Sequence, residues 1–294
     1  MQIEWSKKNT SFGMLFMLCS GICFVAVIGL VRNLDGSLPA AQASFIRYLI
    51  GLIIFVPYFF RVSPIQLGKS NFWRYLARSI FHSLGVVFWF YAMSKLPVAE
   101  VTAIGYMTPV FVTIGAVIFF KEKISFWRIG AIVLAFLGVL LILRPGFQNL
   151  AFGHISQIGA TMFFAGSYLM VKELTRTESA TAIVAMMTLF VTIALAPIAF
   201  LVWVSPSLME IISLGFVAFF ATLGHFFMTK AVASAPLVVV QPVTFLQLVW
   251  ATLLGILVFG EGLDPFVVIG GGLIIVSITL ISYRESIRKV KTQS

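Results

Sequence analysis

Charge is the first thing this sequence lacks: only 10% of its 294 residues are Asp, Glu, Lys or Arg. A soluble domain carries roughly a quarter, so a water-soluble globule is excluded. Acidic groups are scarcest, ten against twenty basic ones, and aspartate occurs only at Asp35 and Asp264. That leaves no Asp-rich metal site. The two cysteines, Cys19 and Cys23, lie one helical turn apart in an apolar run. They fit neither a zinc pattern nor a disulfide framework and read as packing residues. There is no H-E-x-x-H and no Walker sequence, which removes a zinc protease and direct ATP coupling. Ser167 and His225 could suggest a serine–histidine dyad, but Ala165 stands where a G-x-S element needs glycine. An intramembrane enzyme is therefore disfavoured, and no metal or other cofactor is expected. The polar stretch Met1 to Thr10 carries no convincing small-residue cleavage site, so the first apolar run is expected to be a retained helix.

What is present is hydrophobic: 60% of the residues, with thirty phenylalanines. Lipid admits only helices and closed barrels, because every backbone polar group must be satisfied internally. The apolar runs last about twenty residues, as a spanning helix requires, and do not alternate in stretches of about ten as barrel strands do. The expected fold is an all-α polytopic membrane protein. Its ten transmembrane helices fall near 11–32, 39–60, 73–95, 98–120, 125–144, 153–173, 179–204, 208–230, 236–259 and 264–284. Turn chemistry marks the breaks, as at Asp35-Gly36, Leu96-Pro97, Arg144-Pro145-Gly146, Ala235-Pro236 and Asp264-Pro265. Trp73, Trp127 and Trp203 fall near span ends, where aromatic side chains prefer the interface.

The net charge of +10 does not indicate nucleic acid, because the basic residues are scattered singly or in pairs at span ends. They set orientation instead. With the N-terminus inside, sixteen of the twenty Lys and Arg residues face the cytoplasm; the others are Arg32, Arg47, Lys95 and Arg144. The expected location is the cell inner membrane with both termini cytoplasmic. The expected partners are the lipid bilayer and a small-molecule substrate, with the chain acting as a monomer or homodimer.

The sequence also repeats itself. A shift of 140 sets Phe24 on Phe164 and Pro57 on Pro197. A shift of 139 sets Gly85 on Gly224, Pro97 on Pro236 and Glu122 on Glu261. The units are 1–146 and 147–294. Five helices is an odd number, so the second unit enters the membrane from the opposite side. Inverted repeats allow two mirror-related states, open to either side, around a site near the midplane.

Two segments carry a family resemblance. One runs from Leu96-Pro97-Val98-Ala99-Glu100 through Thr108-Pro109-Val110-Phe111 to Phe119-Phe120-Lys121-Glu122; the other from Gln247-Leu248-Val249-Trp250 to Val258-Phe259-Gly260-Glu261. With Phe45-Ile46-Arg47-Tyr48, they resemble the drug/metabolite transporter superfamily, EamA type. The resemblance implies helices 1–4 and 6–9 around a central cavity, with helices 5 and 10 peripheral. Gly130, Ala131, Ala135, Gly138 and Gly270 to Gly272 suit close packing of that peripheral pair. The resemblance also implies a secondary transporter of a small organic metabolite, by proton coupling or exchange. S-adenosylmethionine and riboflavin-like compounds are the suggested substrates; export of amino acids or amphiphilic drugs is the alternative.

Ionisable groups inside spans are the candidates for chemistry. Arg47 either snorkels and braces the bundle or binds an anion. Glu100 either sits at a helix N-terminus or receives a cation or proton. Both lack a charged counterpart in the other repeat, where Met187 and Val239 stand, and the two are expected to pair. His82 and His225 occupy nearby turns of equivalent helices and are either buried hydrogen-bonding groups or substrate contacts. Trp89, Tyr91, Tyr106, Tyr168, Gln241, Gln247 and Trp250 complete the substrate-binding candidates; in so aromatic a chain each could equally be packing. Glu122 and Glu261 read as loop-closing residues. Pro109 and Pro242 are expected to interrupt their helices.

Overall fold

The structure is a computed structural model that describes residues 7–62, 64–120, 126–144, 151–174, 177–234 and 243–291. Gln241, Glu122, Pro236 and Pro242 lie outside the described residues. Helices run α1 (Lys7–Asn33), α2 (Ala40–Arg61), α3 (Pro64–Lys95), α4 (Val98–Gly105), α5 (Thr108–Phe120), α6 (Phe126–Leu143), α7 (Phe152–Leu174), α8 (Ala180–Leu201), α9 (Leu208–Ser234), α10 (Leu246–Phe259) and α11 (Pro265–Lys291). α4 and α5 share one span, so the described helices fill ten places.

The interruption between α4 and α5 has a chemical cause. Pro109 has no N–H to offer the Gly105 carbonyl. That carbonyl accepts from the Thr108 hydroxyl at 2.9 Å, while the Tyr106 and Met107 amides bond only three residues back. α3 begins earlier than the apolar pattern suggests, but Asn71 departs from helical geometry at φ −125°. The membrane-length part is Asn71–Lys95.

Among the described residues six spans are long and apolar enough on their own to cross a bilayer, and Ile129–Leu143, Leu246–Phe259 and Pro265–Leu280 are shorter apolar helices. α7 is the more polar exception. Its His154, Ser156, Gln157, Thr161 and Ser167 are all buried, so its polarity faces protein and not lipid. The periphery is the reverse: Phe60, Trp73, Phe126 and Leu201 are each more than 75% exposed. An apolar exterior of this kind calls for a bilayer.

The repeats interlock. α3 packs along α7, and its counterpart α9 packs along α1; α5 lies on α7, and α10 on α1; α3 touches α8, and α9 touches α2. Two pairs are self-equivalent, α2 with α8 and α6 with α11. Exchanging the halves leaves this pattern unchanged, which is the signature of a twofold pseudo-axis.

The direction of that axis can be read from contacts. Gln42 meets Val204 at one end of the α2/α8 pair, and Gly51 meets Thr188 further along. Numbers rise in α2 as they fall in α8, so the equivalent helices are antiparallel. α6 and α11 behave alike: a Cβ on Gly138 would stand 2.6 Å from the Gly270 carbonyl, and Ser277 donates to the Ala131 carbonyl at 2.6 Å. The 139 shift exchanges these two contacts. Antiparallel equivalents require an axis across the helices, so the repeats are inverted. The small residues of α6 and α11 do permit backbone contact, as expected.

Candidate functional site

At the end of the bundle bearing Arg32, polar contacts tie one repeat to the other. The Arg32 guanidinium lies 3.3 Å from Glu261, whose other carboxylate oxygen accepts from the Val98 amide at 2.8 Å. Gly260, at φ +65°, reverses the chain after α10 so that the Glu261 amide bonds back to Gly255. This aims the carboxylate at the start of α4. Arg144 pairs with Asp264. The Gln42 amide donates to the Val204 carbonyl at 2.6 Å and accepts from its amide at 2.8 Å.

Glu100 belongs to this set. Its carboxylate is 2.8 Å from His154 Nε2, and both residues are buried. The His154 ring is oriented by the Ala151 amide, which donates to Nδ1 at 3.0 Å. The expected Arg47–Glu100 pair is therefore corrected: the carboxylate crosses to α7, and Arg47 lies elsewhere. Sequence gives depth along a helix, and by depth alone the two outer charges of one half look like partners. It does not give the direction a side chain takes around it.

Arg47 is nine-tenths buried, and its guanidinium lies 4.2 Å from the centroid of the Tyr48 ring. It lines a narrow cleft with Tyr48, Gly51, Val184, Met187, Thr188, Ala218, Thr222 and His225. In this conformation the cleft has space for about one water molecule. The 140 shift relates Arg47 to Met187 and Tyr48 to Thr188, and all four line it. A cleft lined by residues and their own equivalents sits on the pseudo-axis, the position expected of a carrier's site.

The histidines adjoin it. Tyr48 Oη is 2.6 Å from His82 Nε2, and the His82 and His225 ring centroids are 6.3 Å apart. His82 rests against Phe164 and His225 against Phe24, at 5.2 and 5.1 Å. Phe24 and Phe164 are themselves equivalents; a Cβ on Gly85 would strike Phe164 at 2.7 Å, and one on Gly224 would press on Phe24 at 3.3 Å. The repeat thus builds a paired aromatic–imidazole wall. Arg78, one turn before His82, donates to the Ile183 carbonyl at 2.7 Å beside cleft residue Val184.

The other candidates scatter. Tyr106 also touches its equivalent, Phe245, with centroids 5.6 Å apart, and donates to the Thr244 carbonyl. Tyr168 contacts Met228. Trp89 packs against the core beside Phe90. Tyr91 lines a separate surface hollow between the ends of α1, α2 and α3. Gln247 faces Gly21 of α1, and Trp250 is 42% exposed. Sequence reasoning passed over His154, Thr188 and Thr222. Thr188 carried a usable signal as the equivalent of Tyr48.

Two interlocked antiparallel five-helix repeats with a polar cleft on their axis define an alternating-access carrier. Residues 11–144 and 151–283 each match the EamA-like transporter family. The chain belongs to that family, and it is a membrane transporter, not an enzyme. A riboflavin transporter of Vibrio cholerae is 27% identical over 95% of this chain and 96% of its own length. A pseudopaline exporter of Pseudomonas aeruginosa is 25% identical over 92% and 95%. An S-adenosylmethionine uptake transporter of Rickettsia bellii is 24% identical over 95% and 96%. A solved crystal structure shares the fold, with a TM-score of 0.62 at 14% identity over 92% of this chain and 96% of that one.

Proposed function

We propose that this chain is an inner-membrane secondary transporter that moves a small organic metabolite through the Arg47 cleft, with 1–146 and 147–294 as its rocking repeats. The observation that carries the reading is the lining of that cleft by Arg47 with Met187 and Tyr48 with Thr188, equivalents meeting on the pseudo-axis. Substrate enters when the repeats part on one side and leaves when they part on the other. Arg47, His82 and His225 are the binding residues of the central site. Tyr106 and Tyr168 are contacts on the path, and Glu100 acts at the outer end. Trp89, Tyr91, Gln241, Gln247 and Trp250 are secondary candidates.

The Arg32 end is the outer one, and both termini are cytoplasmic. Riboflavin-like compounds and S-adenosylmethionine are the first substrates to try, since relatives are named for them. The test is uptake of labelled riboflavin, S-adenosylmethionine and amino acids into proteoliposomes, alongside a Gly51→Leu variant. Uptake that the variant abolishes is the expected result. Transport undiminished in the variant would remove the cleft from the path.

A further inference from the structure

We propose that the central cleft is a carboxylate site, and that the metabolite recognised there carries a carboxylate bound by Arg47, which favours S-adenosylmethionine and amino acids over riboflavin, a compound without a carboxylate. The proposal rests on the transport reading above for its physiological meaning, but it stands on the geometry of one side chain.

Arg47 lies about two turns into α2, about 10 Å from the helix start at Ala40, and is nine-tenths buried. A cation at that depth is costly without a partner. Its guanidinium rests on the Tyr48 ring, 4.2 Å from the centroid. No hydrogen bond or ion pair between described residues engages it. The carboxylates at the Arg32 end are committed to other partners: Glu100 to His154, Glu261 to Arg32 and Asp264 to Arg144. Glu178 accepts from Asn71 and Glu210 from Ser207. The surroundings add positive charge and no negative charge, because Arg78 lies beside the cleft wall on the Ile183 carbonyl.

The stacking selects the ligand's shape. A guanidinium resting on an aromatic ring has one face covered. Its N–H donors lie in its plane and point past the ring edge, where a planar carboxylate accepts two of them in parallel. Thr222 on α9 also lines the cleft and brings a hydroxyl to it. Its repeat equivalent in the lining is the apolar Met187, so the second repeat supplies no matching charge. A single cation of this kind matches a single anionic group with an apolar or aromatic body behind it.

Nicotinate and nicotinamide test this directly, since they share size and ring and differ in charge. Binding to the purified full-length protein is measured by thermal shift and by equilibrium dialysis at constant ionic strength. Nicotinate should bind at least about tenfold more tightly than nicotinamide, the least that a charge-assisted pair contributes. Arg47→Gln should erase the difference, and Arg47→Lys should keep part of it. If Arg47→Gln does not fold, Arg47→Lys and the unmodified protein still decide the matter. Equal binding of the two probes, no nicotinate binding at millimolar concentration, or a preference that survives Arg47→Gln would each overturn the proposal. Transport is scored separately. A protein that prefers nicotinate but moves no solute into proteoliposomes sinks the transport reading alone. One that transports neutral and cationic solutes equally well with Gln at position 47 sinks the carboxylate site alone.

Discussion

Gly51 faces Thr188 across the cleft, where an added Cβ would sit 3.6 Å from the Thr188 methyl group. That is ordinary contact, so Gly51→Ala should be tolerated and Gly51→Leu should fill the space. Expression of the leucine variant should stay near normal while uptake falls at least tenfold, a loss that transport assays at equal protein read directly. Glu100 behaves differently, since its partner is charged or polar and buried. Replacing His154 by leucine leaves a buried carboxylate unpaired and should cost about 3 kcal/mol, visible as a lowered Tm in detergent. Glu100→Gln keeps a hydrogen bond to His154 but removes the charge. A cysteine placed at Ser94, in the hollow at the Arg32 end, should then react faster with a membrane-impermeant maleimide in a background lacking Cys19 and Cys23. Unchanged reactivity would mean that the Glu100–His154 contact does not hold that end closed. Neither contact could be assigned from sequence, because a repeat identifies equivalent positions without saying that Glu100 turns towards α7.

Among elements, α6 and α11 meet through glycine. Gly138 and Gly270 each put a carbonyl where the other's Cβ would be, so neither position can take a side chain without separating the helices. Gly270→Leu should destabilise the protein by about 3 kcal/mol or more and reduce the yield of folded transporter, whereas the same change at Gly272, which has open space around it, should be nearly silent. Comparing the two in thermal unfolding separates close approach from helix propensity. The glycine-rich character of this pair was legible in sequence, as were the interruption at Pro109 and the limits of most spans. The extension of α3 back to Pro64 was not, since apolar content marks the membrane-length part and says little about a helix that continues in water.

For the whole molecule, the number of spans, the repeat and its inversion were all readable from residue pattern. The interlocking was not. An internal repeat suggests two side-by-side modules, but each of α1, α2 and α3 finds its main partners in the other half. Topology and interlocking make separate predictions. Reporter fusions after Lys121 and after Arg176 should read cytoplasmic, and one after Ser207 periplasmic; a periplasmic signal at Lys121 would reverse the assignment. Expressed as two chains divided between 146 and 147, the halves should co-purify and regain function together, and either half alone should be unstable in detergent. A first half that stays folded by itself would contradict the packing seen here.

The packing of α1 on α9 also bears on how the protein is made. Translation proceeds at roughly 5–20 residues per second, so the wait between Asn33 and Leu208 is on the order of ten seconds or more. Through that interval Ser20, Gln42 and Arg47, all buried in the finished protein, lie in helices whose main partners have not yet been synthesised. Insertion machinery or a chaperone must shield them from lipid while the ribosome completes the second half. A nascent chain arrested before α7 should accordingly be held at the insertion site or degraded by membrane proteases.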